Sequence, residues 1–250
     1  MLLYHIIIDL EMNPTSELLR SKCHGLKSET IEVGAIKIDA STNQVVDTFS
    51  CVVYPQFNYR IEPQITRLTG ITTREVCAGI TFDEALSELV KWIGTSEAKL
   101  YSWSSTDLTQ IQKECFAKQI CFPKELTDWI DFQVEYPKYL GYSEKRCMSL
   151  KDAANLIGTP MSSHNAHRAL YDAQITATLV LFALTGEYKS YTRKVRTAFE
   201  SGSTTLFCSI GDASNGKLAA LLERLKIEEK EREVSNYGAM LTQSTPSFVR

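Results

Sequence analysis

The chain has 250 residues, of which 44% are hydrophobic and 23% are charged, and its formal net charge is −3. These values are ordinary for a folded globular protein, and the length suffices for one good-sized domain, or for one domain with an appendage. The small net charge gives no global attraction to a polyanion, so a nucleic-acid ligand would need metal ions or a local basic patch. No apolar stretch approaches the roughly 20 residues that a membrane span needs.

The seven cysteines are odd in number, scattered, and never in CxxC spacing. We therefore expect neither a disulfide framework nor a structural zinc site, but reduced thiols in a cytoplasmic protein. The first residues lack a basic region and a cleavage site, so no signal peptide is expected.

The first strand is the most informative stretch of the chain. Ile6 to Ile8 form an apolar run that predicts a buried central strand. Asp9 and Glu11 follow two positions apart, so their side chains project from one face at the carboxyl end of this strand. Neighbouring carboxylates raise each other's pKa unless a cation lies between them, and hard divalent cations prefer oxygen ligands. The alternative is an ordinary strand end with two solvated acids.

Polar residues 12–30 predict a long loop after the first strand. Residues 31–38 and 45–54 are two strand-like runs joined by a short polar turn. They predict a β-hairpin, and hence a sheet that is partly antiparallel.

The middle of the chain has helical periodicity from residue 63 to residue 94. Thr81 and Glu84 form a predicted capping box before the helix that Gly94 ends. Residues 99–103 predict a short strand, and an amphipathic helix is predicted from Thr106 onward. The apolar face of that helix comprises Leu108, Ile111, Cys115 and Phe116.

Residues 126–140 are ambiguous, and 129–134 within them fit a strand. Ser149 is predicted to start a short capped helix, and residues 166–184 predict a longer helix. Three strands followed by alternating helices and strands predict an α/β protein, in which helices cover both faces of a mixed sheet.

Residues 187–250 differ in character, so we divide the chain into a domain at 1–186 and a C-terminal extension at 187–250. The extension has a basic segment at 189–196, a strand-like run at 203–211, a leucine-striped helix at 215–233, and a polar end that is expected to fray. The basic segment either guides a nucleic-acid backbone or is a solvated helix face. The helix is expected to pack on the domain or on a partner.

Two later acids match the opening pair. Asp107 lies where a predicted strand gives way to a helix; taken alone, it fits a first-turn acid that the helix dipole favours. Asp172 lies on the last helix of the domain, where small residues four apart allow a close approach to the sheet: Ala169, Ala173 and Ala177. His167, just before that helix, can lean over the same cleft; taken alone, it fits a surface or capping histidine.

Together these residues resemble the motifs of the DEDDh 3′–5′ exonucleases, in the ribonuclease H-like superfamily. The matching motifs are Asp9-x-Glu11, Asp107 in a Trp-x-x-x-Asp stretch, and His167-x-x-x-x-Asp172. Three other stretches of the chain also resemble the family's motifs, at residues 31–35, 68–71 and 165–173. The resemblance covers about residues 3–185, and it is strongest to the branch that includes the histone-mRNA 3′-end exonuclease and KapD-type bacterial proteins.

The resemblance implies an α/β, ribonuclease H-like fold with a mixed five-stranded sheet flanked by helices. It implies hydrolysis of phosphodiester bonds from the 3′ end of single-stranded RNA or DNA, with RNA favoured, and release of nucleoside 5′-monophosphates. Two divalent cations, Mg²⁺ or Mn²⁺, about 3.5–4 Å apart would be the cofactors. The implied ligands are Asp9, Glu11, Asp107 and Asp172.

The resemblance also implies a role for each acid. Asp9 would bridge the two cations, Glu11 and Asp172 would help to hold one of them, and Asp107 would support the second. His167 is the implied general base, because histidine titrates near neutral pH. His164 is the rival base, and the family's five-residue spacing to the last acid favours His167.

Four residues are implied to hold the terminal nucleotide: Met12, Leu68, Thr69 and Ile71. Apolar side chains that stack on a base tolerate any sequence, as a trimming enzyme requires. For Leu68 and Ile71, the alternative is plain core packing.

Three other functions compete with this prediction. A catalytically silent module that binds nucleic acid or protein on the same fold is disfavoured by the intact set of acids and histidine. A Rossmann-type nucleotide binder is disfavoured because no G-x-G-x-x-G follows the first strand. A metal-dependent phosphatase acting on small esters stays open, as do the preferred sugar, the oligomeric state, and a protein partner or self-association through the extension.

Overall fold

The structure is a computed structural model, and it describes residues 3–16, 22–139, 148–159, 161 and 167–188. The strands within these ranges are β1 Tyr4–Pro14, β2 Ser28–Asp39, β3 Val45–Tyr54, β4 Ile80–Thr81, β5 Ala98–Ser102 and β6 Trp129–Asp131. The α-helices are α1 Pro63–Thr69, α2 Thr73–Cys77, α3 Phe82–Ile93, α4 Thr106–Ala117, α5 Phe132–Tyr139, α6 Leu150–Leu156 and α7 Ala169–Leu184. A 3-10 helix spans Lys124–Leu126.

The strands form one mixed sheet of six strands in the order β4-β3-β2-β1-β5-β6. Strand β1 is central, because it pairs antiparallel with β2 and parallel with β5. The predicted hairpin is β2 and β3, which are antiparallel. The predicted α/β class with a mixed sheet is confirmed, but the strand count is six rather than five. The additional strand, β4, has only two residues, which is too short to give a periodic signal in the sequence.

Helices cover both faces of the sheet. On one face, alternate residues of β1 pack in a core cluster with α3 and α4, and Ile6 and Ile8 belong to that cluster. On the other face, α7 lies against β1 and β2. Ile6, Ile7 and Ile8 are each 0% exposed, which confirms the prediction of a buried central strand.

The predicted loop at 12–30 is wrong at both ends. Strand β1 continues to Pro14 and β2 begins at Ser28, because these segments pair with each other: Met12 lies opposite Thr30, and Pro14 lies opposite Ser28. Local polar composition indicated a loop, whereas pairing between distant segments made these residues strands.

The helical stretch at 63–94 consists of α1, α2 and α3, with β4 just before α3. The predicted capping box is confirmed, because the Glu84 amide donates to the Thr81 hydroxyl at 3.3 Å and the Thr81 amide donates to the Glu84 carboxylate at 2.8 Å. Gly94 follows the last residue of α3 with a φ of 81°, a conformation that favours glycine.

Helix α4 buries Ile111 and Cys115 and half-buries Leu108, but Phe116 is 75% exposed. The predicted apolar face is therefore wrong at Phe116, since five positions after Ile111 correspond to a rotation of roughly 140° around the helix. The ambiguous stretch at 129–134 is divided between β6 and α5, which begins at Phe132.

The short helix predicted at Ser149 is α6, and the Ser149 hydroxyl accepts the Asp152 amide at 3.1 Å. Helix α7 begins at Ala169 rather than at 166, since Arg168 has an extended backbone. Of the predicted C-terminal extension, only Glu187 and Tyr188 are among the described residues. Its predicted elements lie outside them, and the division at 186/187 stays a prediction.

No helix in the described part of the chain is long and apolar enough to cross a membrane. The cysteines in these ranges are free thiols: Cys23, Cys51, Cys77, Cys115 and Cys121.

Candidate active site

Asp9 and Glu11 lie on β1, on the face of the sheet that α7 covers. In the β1–β2 register, Asp9 lies opposite Gly34 and Glu11 lies opposite Glu32. Both side chains are half-buried. They share a face because side chains alternate along a strand. The strand does not end at these acids as the sequence predicted; a register shift follows Glu11, and pairing then continues to Pro14.

Asp107 is the second residue of α4 and is only 6% exposed. Its carboxylate oxygen Oδ1 accepts a hydrogen bond from the backbone amide of Leu10 at 3.1 Å. Leu10 separates Asp9 from Glu11, so this bond holds Asp107 beside the pair. A solvated first-turn acid, the alternative interpretation, would have no such contact with β1.

Asp172 reaches the same place from α7, and it is 8% exposed. Ala169, Ala173 and Ala177 are buried, as their predicted packing against the sheet requires. The sheet supplies the other half of this close approach at Gly34, where a Cβ atom would lie 2.1 Å from the backbone nitrogen of Leu170. The Asp172 oxygen Oδ1 is buried and has no hydrogen-bond partner among the described residues.

His167 lies just before α7, is exposed, and has a φ of 65°. Ligand atoms of Glu11, His167 and Asp172 all lie within 4.8 Å of one another. A histidine in this place is able to bind a cation or to exchange protons with the cleft. The rival base, His164, lies outside the described residues.

The pKa values of all four acids are raised. Burial is the largest cause at Asp9, whose pKa lies well above its usual range, and the charges of Asp107, Glu11 and Asp172 add to it. Burial, and then the charge of Asp172, raises the pKa of Glu11 to about 8. Burial raises the pKa of Asp107 to about 7, although the Leu10 amide opposes the shift. Burial also raises the pKa of Asp172, which the neighbouring His167 lowers in part.

This electrostatic arrangement fits divalent cations. Four mutually repelling carboxylates converge with too little positive charge between them, and one buried carboxylate oxygen of Asp172 finds no donor in the part of the chain that the structure describes. Oxygen ligands in this number suit a hard cation such as Mg²⁺ or Mn²⁺, which would supply the missing charge.

The four residues predicted to hold a nucleotide have different surroundings. Leu68 is 50% exposed on α1, whereas Ile71 is fully buried in a cluster with Ile31, Ile61 and Val76. The Ile71 side chain therefore packs in the core, as the alternative at this position has it, and a contact of Ile71 with a nucleotide stays a prediction.

Thr69 is 4% exposed, and its hydroxyl donates to the Ile65 carbonyl and accepts the Ile71 amide. Met12 is half-buried beside Ser28, whose hydroxyl lies 4.0 Å from the Met12 sulfur. Of these four side chains, Leu68 has the largest exposed surface and Met12 lies nearest the acids in sequence.

Asn13 was not predicted from the sequence, although its side chain binds the segment that leads into α1. Its amide nitrogen donates to the carbonyls of Asn58 and Arg60 at 3.1 and 3.0 Å, and its side-chain oxygen accepts the Glu62 amide at 2.9 Å. Asn13 thus links the end of β1 to the segment just before the helix that carries Leu68. No local pattern could reveal this role, because the partners lie more than 40 residues away.

Comparison with known proteins is decisive for the family. The sequence model of the RNase T exonuclease family matches residues 6–180, which include all five predicted catalytic residues. The chain belongs to this exonuclease family. The predicted resemblance to DEDDh 3′–5′ exonucleases of the ribonuclease H-like superfamily is therefore confirmed.

Several relatives carry the names of exonucleases or probable exonucleases. Human ERI1 exoribonuclease 2 is 29% identical over 198 residues, a match that covers 70% of this chain and 28% of that protein. The probable 3′-5′ exonuclease KapD of Bacillus subtilis is 27% identical over 166 residues, a match that covers 66% of this chain and 77% of that protein. The chain thus spans less than a third of the length of the ERI1 exoribonuclease 2 proteins of mouse and human.

Solved structures share the fold. The nuclease domain of 3′hExo, a DEDDh family member bound to rAMP, aligns with a TM-score of 0.63 at 21% identity, over 73% of this chain and 92% of that one. A full-length 3′-exonuclease aligns with a TM-score of 0.65 at 20% identity, over 75% of this chain and 62% of that one. At this level of identity, the likeness concerns the fold.

Proposed function

We propose that this protein is a metal-dependent 3′–5′ exonuclease that shortens single-stranded nucleic acid and releases nucleoside 5′-monophosphates. The observation that carries the proposal is the convergence of Asp9, Glu11 and Asp107 with Asp172 of α7, in a chain that belongs to an exonuclease family. The relatives named above are exoribonucleases or probable 3′-5′ exonucleases, which supports this direction of cleavage.

The proposed ligands for two divalent cations are Asp9, Glu11, Asp107 and Asp172. When bound, two such cations neutralise charge on the scissile phosphate and help to activate the attacking water. The two-cation stoichiometry and the choice of Mg²⁺ or Mn²⁺ belong to the proposal.

His167 is proposed to act as the general base. It lies at the solvent-exposed side of the acid cluster, so a proton that a ring nitrogen takes from the attacking water can pass on to solvent. The backbone amide of His167 donates to the Asp172 carboxylate, which ties the base to the acid five positions later.

The 3′ end is proposed to bind between the end of β1 and α1, with Met12 and Leu68 against the terminal base and Thr69 beside them. Stacking on apolar side chains is indifferent to sequence. RNA is the favoured substrate, since the human relative named above is an exoribonuclease. A cytoplasmic location, and a protein partner or self-association through residues 187–250, stay as predictions from the sequence.

A time course on 5′-labelled single-stranded RNA and DNA of matched sequence tests the proposal. It is run with Mg²⁺, with Mn²⁺ and with EDTA, beside the Asp9→Ala variant. We expect a metal-dependent ladder that shortens from the 3′ end and is absent in the variant. No cleavage under any metal would favour the silent binding module instead, and phosphate release from small esters without shortening of the strand would favour a phosphatase.

A further inference from the structure

A buried acid outside the proposed ligand set lies directly beside the active site. Glu32 of β2 is 2% exposed and lies opposite Glu11 in the sheet register. Its carboxylate accepts hydrogen bonds from Arg168 Nε at 3.1 Å to each oxygen, and Oε1 also accepts a bond from Arg168 Nη2 at 2.5 Å. Oε2 accepts the backbone amide of Ala169 at 2.8 Å.

The last of these bonds matters because α7 lacks a side-chain cap of its own. Arg168 is its N-cap residue, and no side-chain hydrogen bond caps the helix there. The first amides of a helix need acceptors, and a negative charge near them is favourable. Glu32 supplies both the acceptor and the charge from a different element, β2, so it fixes the start of α7 to the sheet.

We propose that the Glu32–Arg168 pair is a positioning device for the active site, which fixes where His167 and Asp172 stand relative to the acids of β1. Arg168 directly follows His167, and Asp172 lies within the first turn of α7. The inference rests on the proposed exonuclease function for its kinetic consequence, and on the proposed cation ligands for its effect on Mn²⁺ binding.

Two other roles for this pair fit the contacts less well. As a cation ligand, Glu32 would need a free oxygen, but both of its oxygens accept hydrogen bonds, in contrast to the unpartnered Oδ1 of Asp172. As a phosphate clamp, Arg168 could offer only the remaining donors of its partly exposed guanidinium, because Nε and Nη2 already donate to Glu32. Arg forms such planar, two-point contacts where Lys provides only a point charge.

The test uses the full chain and compares three variants with the wild type. Arg168→Lys keeps the charge but loses the planar fork, and Arg168→Ala leaves Glu32 buried without its partner. The double variant Glu32→Gln/Arg168→Gln removes the charged pair, keeps an acceptor for the Ala169 amide, and leaves no buried charge, so it is the variant most able to fold. The control is Lys138→Ala, which breaks the exposed pair with Glu135 elsewhere on the protein.

For the double variant, we expect kcat to fall roughly 10- to 100-fold, as misplacement by about 1 Å can do, with KM for a single-stranded RNA within about twofold of wild type. Arg168→Lys should lie between the wild type and the double variant. Mn²⁺ binding, followed by electron paramagnetic resonance, should weaken several-fold, because Asp172 is a proposed ligand. Kinetics are recorded well below the unfolding midpoint of each variant, and the control should match the wild type throughout.

The inference is overturned if the double variant keeps wild-type kcat and Mn²⁺ affinity, or if its lost activity equals its unfolded fraction. If the wild type cleaves no nucleic acid, the proposed function is wrong. The Mn²⁺ titration then decides the positioning role alone: weaker binding in the folded double variant supports it, and equal binding overturns it.

Discussion

Gly34 of β2 lies directly against the backbone of Leu170 on α7. A Cβ atom at Gly34 would lie 2.1 Å from the Leu170 nitrogen and 2.3 Å from the Ala169 carbonyl carbon. Gly34 lies opposite Asp9 in the sheet, and Leu170 is two residues before Asp172. The absence of one side chain therefore sets the distance between the two halves of the acid cluster.

Replacing Gly34 with Ala should displace α7 and impair the site. The backbone on the other side cannot yield as a flexible side chain would, so we expect a destabilisation of about 1–3 kcal/mol or more. We also expect kcat to fall by up to roughly 100-fold, since the ligands separate. Thermal unfolding and the RNA-shortening assay, performed on the same preparation, measure the two effects.

Gly158→Ala is the matched control for that change. Gly158 has a φ of 74°, but apart from its chain neighbours no heavy atom of the described residues lies within 4 Å of the position that a Cβ would take, so this substitution strains the backbone without a collision among them. We expect a loss of stability of about 1 kcal/mol with unchanged kcat. If Gly34→Ala behaves like Gly158→Ala, the close approach does not position α7.

The central part of the site could be predicted from the sequence because it depends on short-range rules. Alternation along a strand places Asp9 and Glu11 on one face, and the small residues of α7 indicate a helix close to the sheet. Capping signals likewise predicted the starts of α3 and α6, because a cap is a contact between residues three positions apart.

The remaining features depend on partners distant in sequence. The link between Glu32 and Arg168 spans 136 residues, and no local pattern pairs those two. Pairing with β2 also extended β1 to Pro14 through a polar stretch that composition alone assigns to a loop. Burial of Ile71 depends on its packing against Ile31, 40 positions earlier, so the sequence could not separate nucleotide contact from core packing there.

The metal-free protein should lose stability as the pH rises. The pKa of Glu11 is raised from 4.5 to about 8, so between these values the folded state holds a proton that the unfolded state has released. Stability therefore falls with rising pH across this window. Asp107, raised to about 7, acts in the same direction. In EDTA we expect the free energy of unfolding to fall by at least about 2 kcal/mol between pH 5 and 8.5, or roughly 4–8 °C in Tm.

Two comparisons identify the source of that trend. Glu11→Gln should flatten the dependence on pH, whereas Glu135→Gln, an exposed acid on α5, should leave it unchanged. Mn²⁺ should raise Tm more at pH 8.5 than at pH 5.5, because it binds the deprotonated acids. A Tm in EDTA that is constant or rises between pH 5 and 8.5 would contradict the raised pKa values.

Leu68 should contribute to substrate binding rather than to stability. It is 50% exposed on α1, so Leu68→Ala removes little buried area but removes a proposed stacking surface. We expect KM for single-stranded RNA to rise by roughly 5- to 10-fold, corresponding to about 1–1.5 kcal/mol for the exposed half of a Leu side chain buried against a base, with Tm nearly unchanged. Steady-state kinetics across RNA concentrations separate KM from kcat.

Val45→Ala is the matched control for Leu68→Ala. Val45 is 52% exposed and pairs with Ile38, at the end of the sheet away from the acids. It should change neither KM nor kcat. An equal rise in KM for both variants, or none for Leu68→Ala, would remove Leu68 from the binding surface.

His167 should be far more important for turnover than His164. His167→Ala removes the proposed base, and loss of general-base catalysis lowers kcat by roughly 100- to 10,000-fold. His164→Ala should reduce kcat by no more than a few-fold, since only His167 has the five-residue spacing to Asp172. Equal losses in the two variants would show that His167 is not the specific base. Metal affinity lost together with kcat in His167→Ala would indicate that this histidine binds the cation instead.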